Sequence, residues 1–179
     1  MIKKMMLLAL SVGALVAFAA PAIASANTGQ LTGAGETLVG TSTNTKTVTA
    51  AGTLVCSHVE LEGEVQENGA SGSMLGNGVG FTEGCEVEQN HAPVTITDPT
   101  VTTLTLNSSG GSATLTFISD IAGVLVCHFS GTVPVTWTAP SNTIHIAGTL
   151  TGTGAGCPTA GSISGDFALS SGGEEVIVD

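Results

Sequence analysis

Four cysteines, four histidines and a run of glutamates are the residues of this 179-residue chain whose types and spacing could do chemistry. Cys56-Ser57-His58 and Cys127-His128 place histidines beside cysteines, the pairing a metal site would use. Zinc frames bring their ligands in close pairs, two to four residues apart. Here Cys56 to Cys85 spans 29 residues and Cys127 to Cys157 spans 30. On a strand His58 would share a face with Cys56, whereas His128 would point away from Cys127, so the two segments disagree about geometry. No metal and no cofactor are expected.

Glu60, Glu62 and Glu64, with Glu67 beyond, would line one face of a strand. Such a row could attract Ca²⁺, a hard cation that takes oxygen ligands. No loop of the D-x-[DN]-x-[DN]-G kind accompanies it, so a solvated strand face is the better reading. Glu83, Glu86 and Glu88 around Cys85 read the same way. A hydrolase would need a nucleophile with a base, and no G-x-S-x-G elbow is present. His91 and His145 lie in no catalytic signature, and Asp98, Asp120 and Asp166 fall beside apparent turns or strand ends, where Asp serves structure. No catalytic residue is assigned and no enzyme is expected. Thr-x-Thr pairs such as Thr114/Thr116 and Thr136/Thr138 recur irregularly, as threonine does on exposed strand faces.

The elements that must carry these residues are strands. Val59-Glu60-Leu61-Glu62-Gly63-Glu64-Val65, Ala113-Thr114-Leu115-Thr116-Phe117, Thr143-Ile144-His145-Ile146 and Ser162-Ile163-Ser164-Gly165-Asp166-Phe167 alternate apolar and polar residues, the period-2 signature. Asn68-Gly69, Gly76-Asn77-Gly78, Asp98-Pro99 and Ser171-Gly172-Gly173 mark turns between such runs. Many short strands with frequent turns predict an antiparallel β-sandwich. Pro134, inside a strand pattern, cannot donate to a ladder, which predicts an edge strand or a bulge.

The order of the cysteines suggests an internal repeat. Ala51-Gly52-Thr53-Leu54-Val55-Cys56 matches Ala122-Gly123-Val124-Leu125-Val126-Cys127 at five of six positions. Each segment is followed by a glycine-bearing strand and then by Gly-Cys, at Gly84-Cys85 and Gly156-Cys157. Fixed-period self-similarity is the mark of repeated supersecondary units. Two related halves are expected, about 45–106 and 107–179.

The start of the chain indicates export. Met1-Ile2-Lys3-Lys4 is a positive segment, the run to Ala20 is apolar, and Ala24-Ser25-Ala26 is an A-x-A cleavage site. The apolar run is short for a membrane span of about 20 residues. There is no cysteine at the cleavage point and no paired arginine, so the general secretory route fits. The reading is a signal peptide over 1–26 and one domain over 27–179. Removing the leader takes Lys3 and Lys4 with it. Lys46 is then the single cationic Lys or Arg side chain against 14 acids, a net charge of −13. A phosphate-binding surface needs many cations, so nucleic acid is excluded as a partner, and an anionic membrane surface is disfavoured. No membrane insertion of the mature chain is expected. One Trp and no Tyr leave few aromatic anchors for a binding site.

Four cysteines in an exported chain imply two disulfides. The repeat favours Cys56–Cys85 with Cys127–Cys157; Cys56–Cys127 with Cys85–Cys157 remains open if the halves interlock. The late segments Gly156-Cys157-Pro158-Thr159 and Ser164-Gly165-Asp166-Phe167, with the two Cys-bounded halves, resemble uncharacterised exported bacterial β proteins. That resemblance implies no activity and assigns no functional residue. The expected role is structural or interactive, secreted or in the cell envelope, toward a protein or envelope partner. A small-ligand or Ca²⁺-dependent binding module comes second, and an envelope hydrolase third.

Overall fold

The computed structural model describes residues 36–67, 71–75, 81–107, 110–138 and 140–176. The signal peptide expected over 1–26 lies outside the described residues. These hold eleven strands and no helix: β1 (Thr37–Ser42), β2 (Lys46–Thr49), β3 (Gly52–Glu67), β4 (Ser71–Leu75), β5 (Phe81–Val87), β6 (Val94–Asn107), β7 (Gly110–Ile121), β8 (Leu125–Thr136), β9 (Thr143–Thr153), β10 (Ala160–Ser171) and β11 (Glu174–Glu175). All pairings are antiparallel. The all-β antiparallel class read from the alternation is therefore present.

The pairings form a circuit. β1 and β2 follow one another along the same side of β3, and both also pair with β10. β4 and β5 follow one another along the other side of β3. β4 then pairs with β6, and β6, β7, β8, β9 and β10 pair in sequence order. Counted this way, with β1–β2 and β4–β5 each taken as one interrupted stave, the described strands make an eight-stave meander whose last stave bonds to its first. The expected sandwich is corrected on this point: the strands belong to one sheet, not two. Alternation and turn spacing do not encode whether the final strand hydrogen-bonds to the first, and here that pairing covers edges a sandwich would leave open.

The inside of the circuit is apolar. Phe129, Leu106, Ile144, Leu150, Val133 and Val135 are wholly buried, and Phe117 stacks on Phe129 with ring centroids 5.2 Å apart. β7, β8, β9 and β10 send alternate residues inward along their length, so that 113, 115, 117 and 119 are buried on β7 and 161, 163, 165, 167 and 169 on β10. A second, smaller cluster holds Leu54, Cys85, Val87 and Val94, and Cys56 and Ile96 pack against both.

The first four staves behave differently. Ser42 and Thr45 are both buried, although three residues apart; in the same way Ile96 is half-buried and packed on the core while Pro99 is buried. Cys56 and Val59 both face the core, and Thr82 and Cys85 do the same on β5. A three-residue step between inward residues means that each strand switches face there. The steps lie at one level, since Ser42 pairs with Val59, Val59 with Thr82, and Cys56 with Cys85. Local chemistry accommodates the switch. The Ser42 hydroxyl accepts from Thr45 Oγ1 at 2.9 Å. Gly84 sits at φ +57°, where an added Cβ would run into Ser57 Oγ. Asp98 takes φ 49° at a register shift between Thr97 and Thr100.

Pro134 is also corrected. β8 lies between β7 and β9 and is not an edge, and its register with β9 is the same on both sides of Pro134, so there is no bulge. Instead no β8–β9 pair is formed between Ser130 and Val135, the stretch containing the residue without an N–H.

Candidate functional site

Both disulfides take the connectivity that the repeat favours, Cys56–Cys85 and Cys127–Cys157, and no cysteine is free. Cys56 and Cys85 are directly opposed on β3 and β5. Cys127, on β8, reaches Cys157 in the turn between β9 and β10. Two disulfides fit an oxidising, extracellular setting. The matched hexapeptides occupy equivalent places, each running from a hairpin turn into a strand, β2 to β3 and β7 to β8. Each of those strands then carries a cysteine bonded toward the following stave.

The face switch produces the site. Where the two core clusters meet, a cavity of about 60 Å³ remains, partly open to solvent. Leu54, Cys56, Val59 and Leu61 of β3 form one wall, and Leu115, Phe117, Ile163 and Phe167 form the opposite one. Thr45, Thr47, Thr82, Thr100 and Thr116 are its polar lining, and among the described residues no charged side chain borders it. Thr82, Ile96, Pro99 and Thr100 flank the stretch where β5 and β6 share only the bridge Glu86–Pro93. The Cys56–Cys85 bridge pins β5 to β3 beside this cavity.

The residues weighed from sequence fall elsewhere. Glu62 and Glu64 are exposed, while Val59, Leu61 and Gly63 between them face inward, so the glutamate row is an outer face. His128 is exposed opposite buried Cys127. Among the described residues no group of three His, Cys, Asp or Glu is placed to hold a metal. Asp120 accepts the Gly123 N–H at 2.9 Å within the β7–β8 turn, a structural role.

Asp166 is not at a strand end. It stands within β10, in register with His145 of β9, which in turn pairs with Thr136 of β8. His145 Nδ1 lies 2.6 Å from Asp166 Oδ1, and Asn44 Nδ2 donates to Asp166 Oδ2 at 2.8 Å. The Asp166 N–H donates to Asn44 Oδ1 at 2.9 Å. These hydrogen bonds, from His145 first and Asn44 second, hold the Asp166 carboxyl below its ordinary range. The group sits on the outer surface, in an open groove of about 360 Å³ shared with Trp137, Thr138, Ser141 and Thr143. Ser141 Oγ donates to the Thr143 carbonyl and accepts the Thr143 N–H, both at 3.0 Å. Its hydroxyl is thus engaged by local backbone, a turn-forming arrangement. Sequence reasoning missed the His145–Asp166 pair because 21 residues and a hairpin separate its members.

Among the described residues no helix is long and apolar enough to cross a membrane. Comparison with protein-family models, with curated proteins and with solved structures gives no match for this chain.

Proposed function

We propose that the chain is an exported, non-catalytic interaction protein, and that the cavity at the face switch takes one aliphatic side chain of a partner protein. The observation that carries this reading is the cavity's size and chemistry, about 60 Å³ with no charged side chain among the described residues that line it. A dry apolar cavity needs roughly 150 Å³ to hold a benzene-sized molecule. This one suits a branched methyl group better than a whole lipid or cofactor. Hot spots at interfaces are anchors of this kind, an apolar group seated in a desolvated pocket. The surplus of acids favours a neutral or basic partner.

Several further features support the setting. Two disulfides suit an oxidising compartment, and the amino-terminal residues read as a general secretory signal. β8 turns Ser130, Thr132 and Thr136 outward and Phe129, Val133 and Val135 inward, the reverse of a membrane barrel, whose apolar band faces out. The equivalent places of the hexapeptides and disulfides support an origin of the two halves by duplication. A small apolar ligand whose tip enters the same cavity is the second reading.

The test is methyl NMR of the mature, oxidised protein titrated with isobutanol and, separately, with octanoate. Saturable shifts of Leu54, Val59, Leu61 and Leu115 methyls by isobutanol, with Leu106 and Val133 unmoved, support an aliphatic pocket. Much tighter binding of octanoate would favour the small-ligand reading. Shifts scattered over the surface, or none, would remove the pocket as a site.

A further inference from the structure

The outer groove around Trp137 is independent of the apolar cavity, and its composition has a different meaning. Thr136, His145 and Asp166 form a cross-strand row over β8, β9 and β10, continued by Asn44 from the interruption between β1 and β2. Three staves, β9, β10 and β1–β2, therefore fix a single carboxylate, with Thr136 of β8 beside them in the row. Each of its oxygens accepts one hydrogen bond from protein, and a carboxylate has about four acceptor sites, so acceptor capacity remains on both. The bond from Nδ1 to the carboxylate makes Nε2 of neutral His145 an acceptor as well. Thr136 and Thr138 bring hydroxyls that both donate and accept, whereas the Thr143 hydroxyl donates to Asn142 Oδ1 at 3.1 Å and keeps only acceptor capacity. Trp137 is half-buried, packs against the core and borders the groove.

A ligand that matches this set presents an apolar face to an indole and a rim of hydroxyls to fixed acceptors. A pyranose ring has that form. We propose that the Trp137 groove is a binding subsite for a neutral saccharide. Its volume of about 360 Å³ falls at the small end of the ~300–1,000 Å³ range of small-molecule sites, which suits one or two sugar units. An anionic glycan is disfavoured by Asp166 and by the acidic chain. A quaternary ammonium ligand calls for a cage of several aromatic rings, and the groove has one.

Trp137 is the sole tryptophan and there is no tyrosine, so intrinsic fluorescence reports this groove alone. The mature, oxidised protein is titrated with cellobiose, chitobiose and maltose, with tetramethylammonium chloride as the cationic probe and saturation-transfer NMR as a second readout. The expected result is a saturable fluorescence change and sugar-proton transfer with at least one disaccharide, half-saturating on the order of 1 mM. Asp166→Ala and Thr136→Val each weaken it about tenfold or more, while His128→Gln, on the outer face of β8 away from the groove, leaves it unchanged. The far-ultraviolet spectrum and the intact disulfides establish that each variant is folded. Absence of both signals with all three disaccharides overturns the proposal, as does binding of tetramethylammonium alone or binding that survives both groove substitutions.

Discussion

Staves β7 to β10 carry uninterrupted alternation, whereas β1 to β6 switch face at one level, although both sets of staves have a disulfide after a nearly identical hexapeptide. In the straight half the alternation runs through each strand, and Phe129, Val133, Val135 and Leu150 have essentially no exposure. In the switched half the strands turn together, and the register of β3 with its neighbours is unchanged across the step. The inward residues on either side of the step point into different clusters, and the cavity lies between them. The comparison teaches that a matched cysteine frame can hold two different interiors: one packed for stability, the other bent to leave space. Bulges and face changes beside functional sites have this effect of re-aiming side chains.

Perturbing the packed half should have the largest effect. Phe129→Ala removes a fully buried ring stacked on Phe117 and is expected to cost about 3–5 kcal/mol, measured by urea unfolding. Val133→Ala in the same half should cost clearly more than Val59→Ala, because Val59 borders space that already exists. Equal costs for the two valines would erase the contrast between halves. Replacing Cys56 and Cys85 together by Ala opens a loop of 29 residues, worth about 3–4 kcal/mol in the chain-entropy model. The matching change at Cys127 and Cys157 should cost a similar amount, but only the first should alter isobutanol binding.

A smaller effect of opposite sign is expected at Ser119. Its Oγ is buried on β7 with no hydrogen-bond partner among the described residues, so Ser119→Ala should raise stability by about 1 kcal/mol. The smallest concerns pH. Asp166 has its folded pKa lowered from an ordinary 3.8, so it contributes stability above the unfolded value and loses it as pH falls through the folded one. Because the group is about half exposed, solvent screening leaves the effect small. Asp166→Asn should flatten the acid limb of a stability–pH curve below about pH 4 and leave the neutral region nearly unchanged.

Much of this architecture was legible in the chain. Alternation over 59–64, 113–117 and 143–146 correctly assigned inward and outward residues, and the matched order of the two cysteine segments favoured the observed pairs. Three things were not legible. Closure of the sheet depends on β10 meeting both β9 and β1–β2, a contact between sequence-distant strands that leaves no local mark. The face switch has signals, Ser57-His58 within an apolar strand and Asp98-Pro99 read as a turn, but each alone looks like ordinary punctuation. Asp98-Pro99 is in fact a distortion inside the long β6. The His145–Asp166 pair and its groove arise from cross-strand register, which two isolated polar residues on separate strands do not announce.

The most direct test of the central claim, that the first half bends to open a site while the second stays closed, is native-state hydrogen exchange of the mature, oxidised protein by NMR. Amides of β5 and of β6 before the Thr97–Thr100 shift should exchange through local opening, well before those of β7 and β8, which should exchange only with global unfolding. Isobutanol, by stabilising the native state, should slow both groups, and the first should still exchange before the second. Uniform protection across both halves, or slower exchange in β5 and β6 than in β7 and β8, would contradict the account.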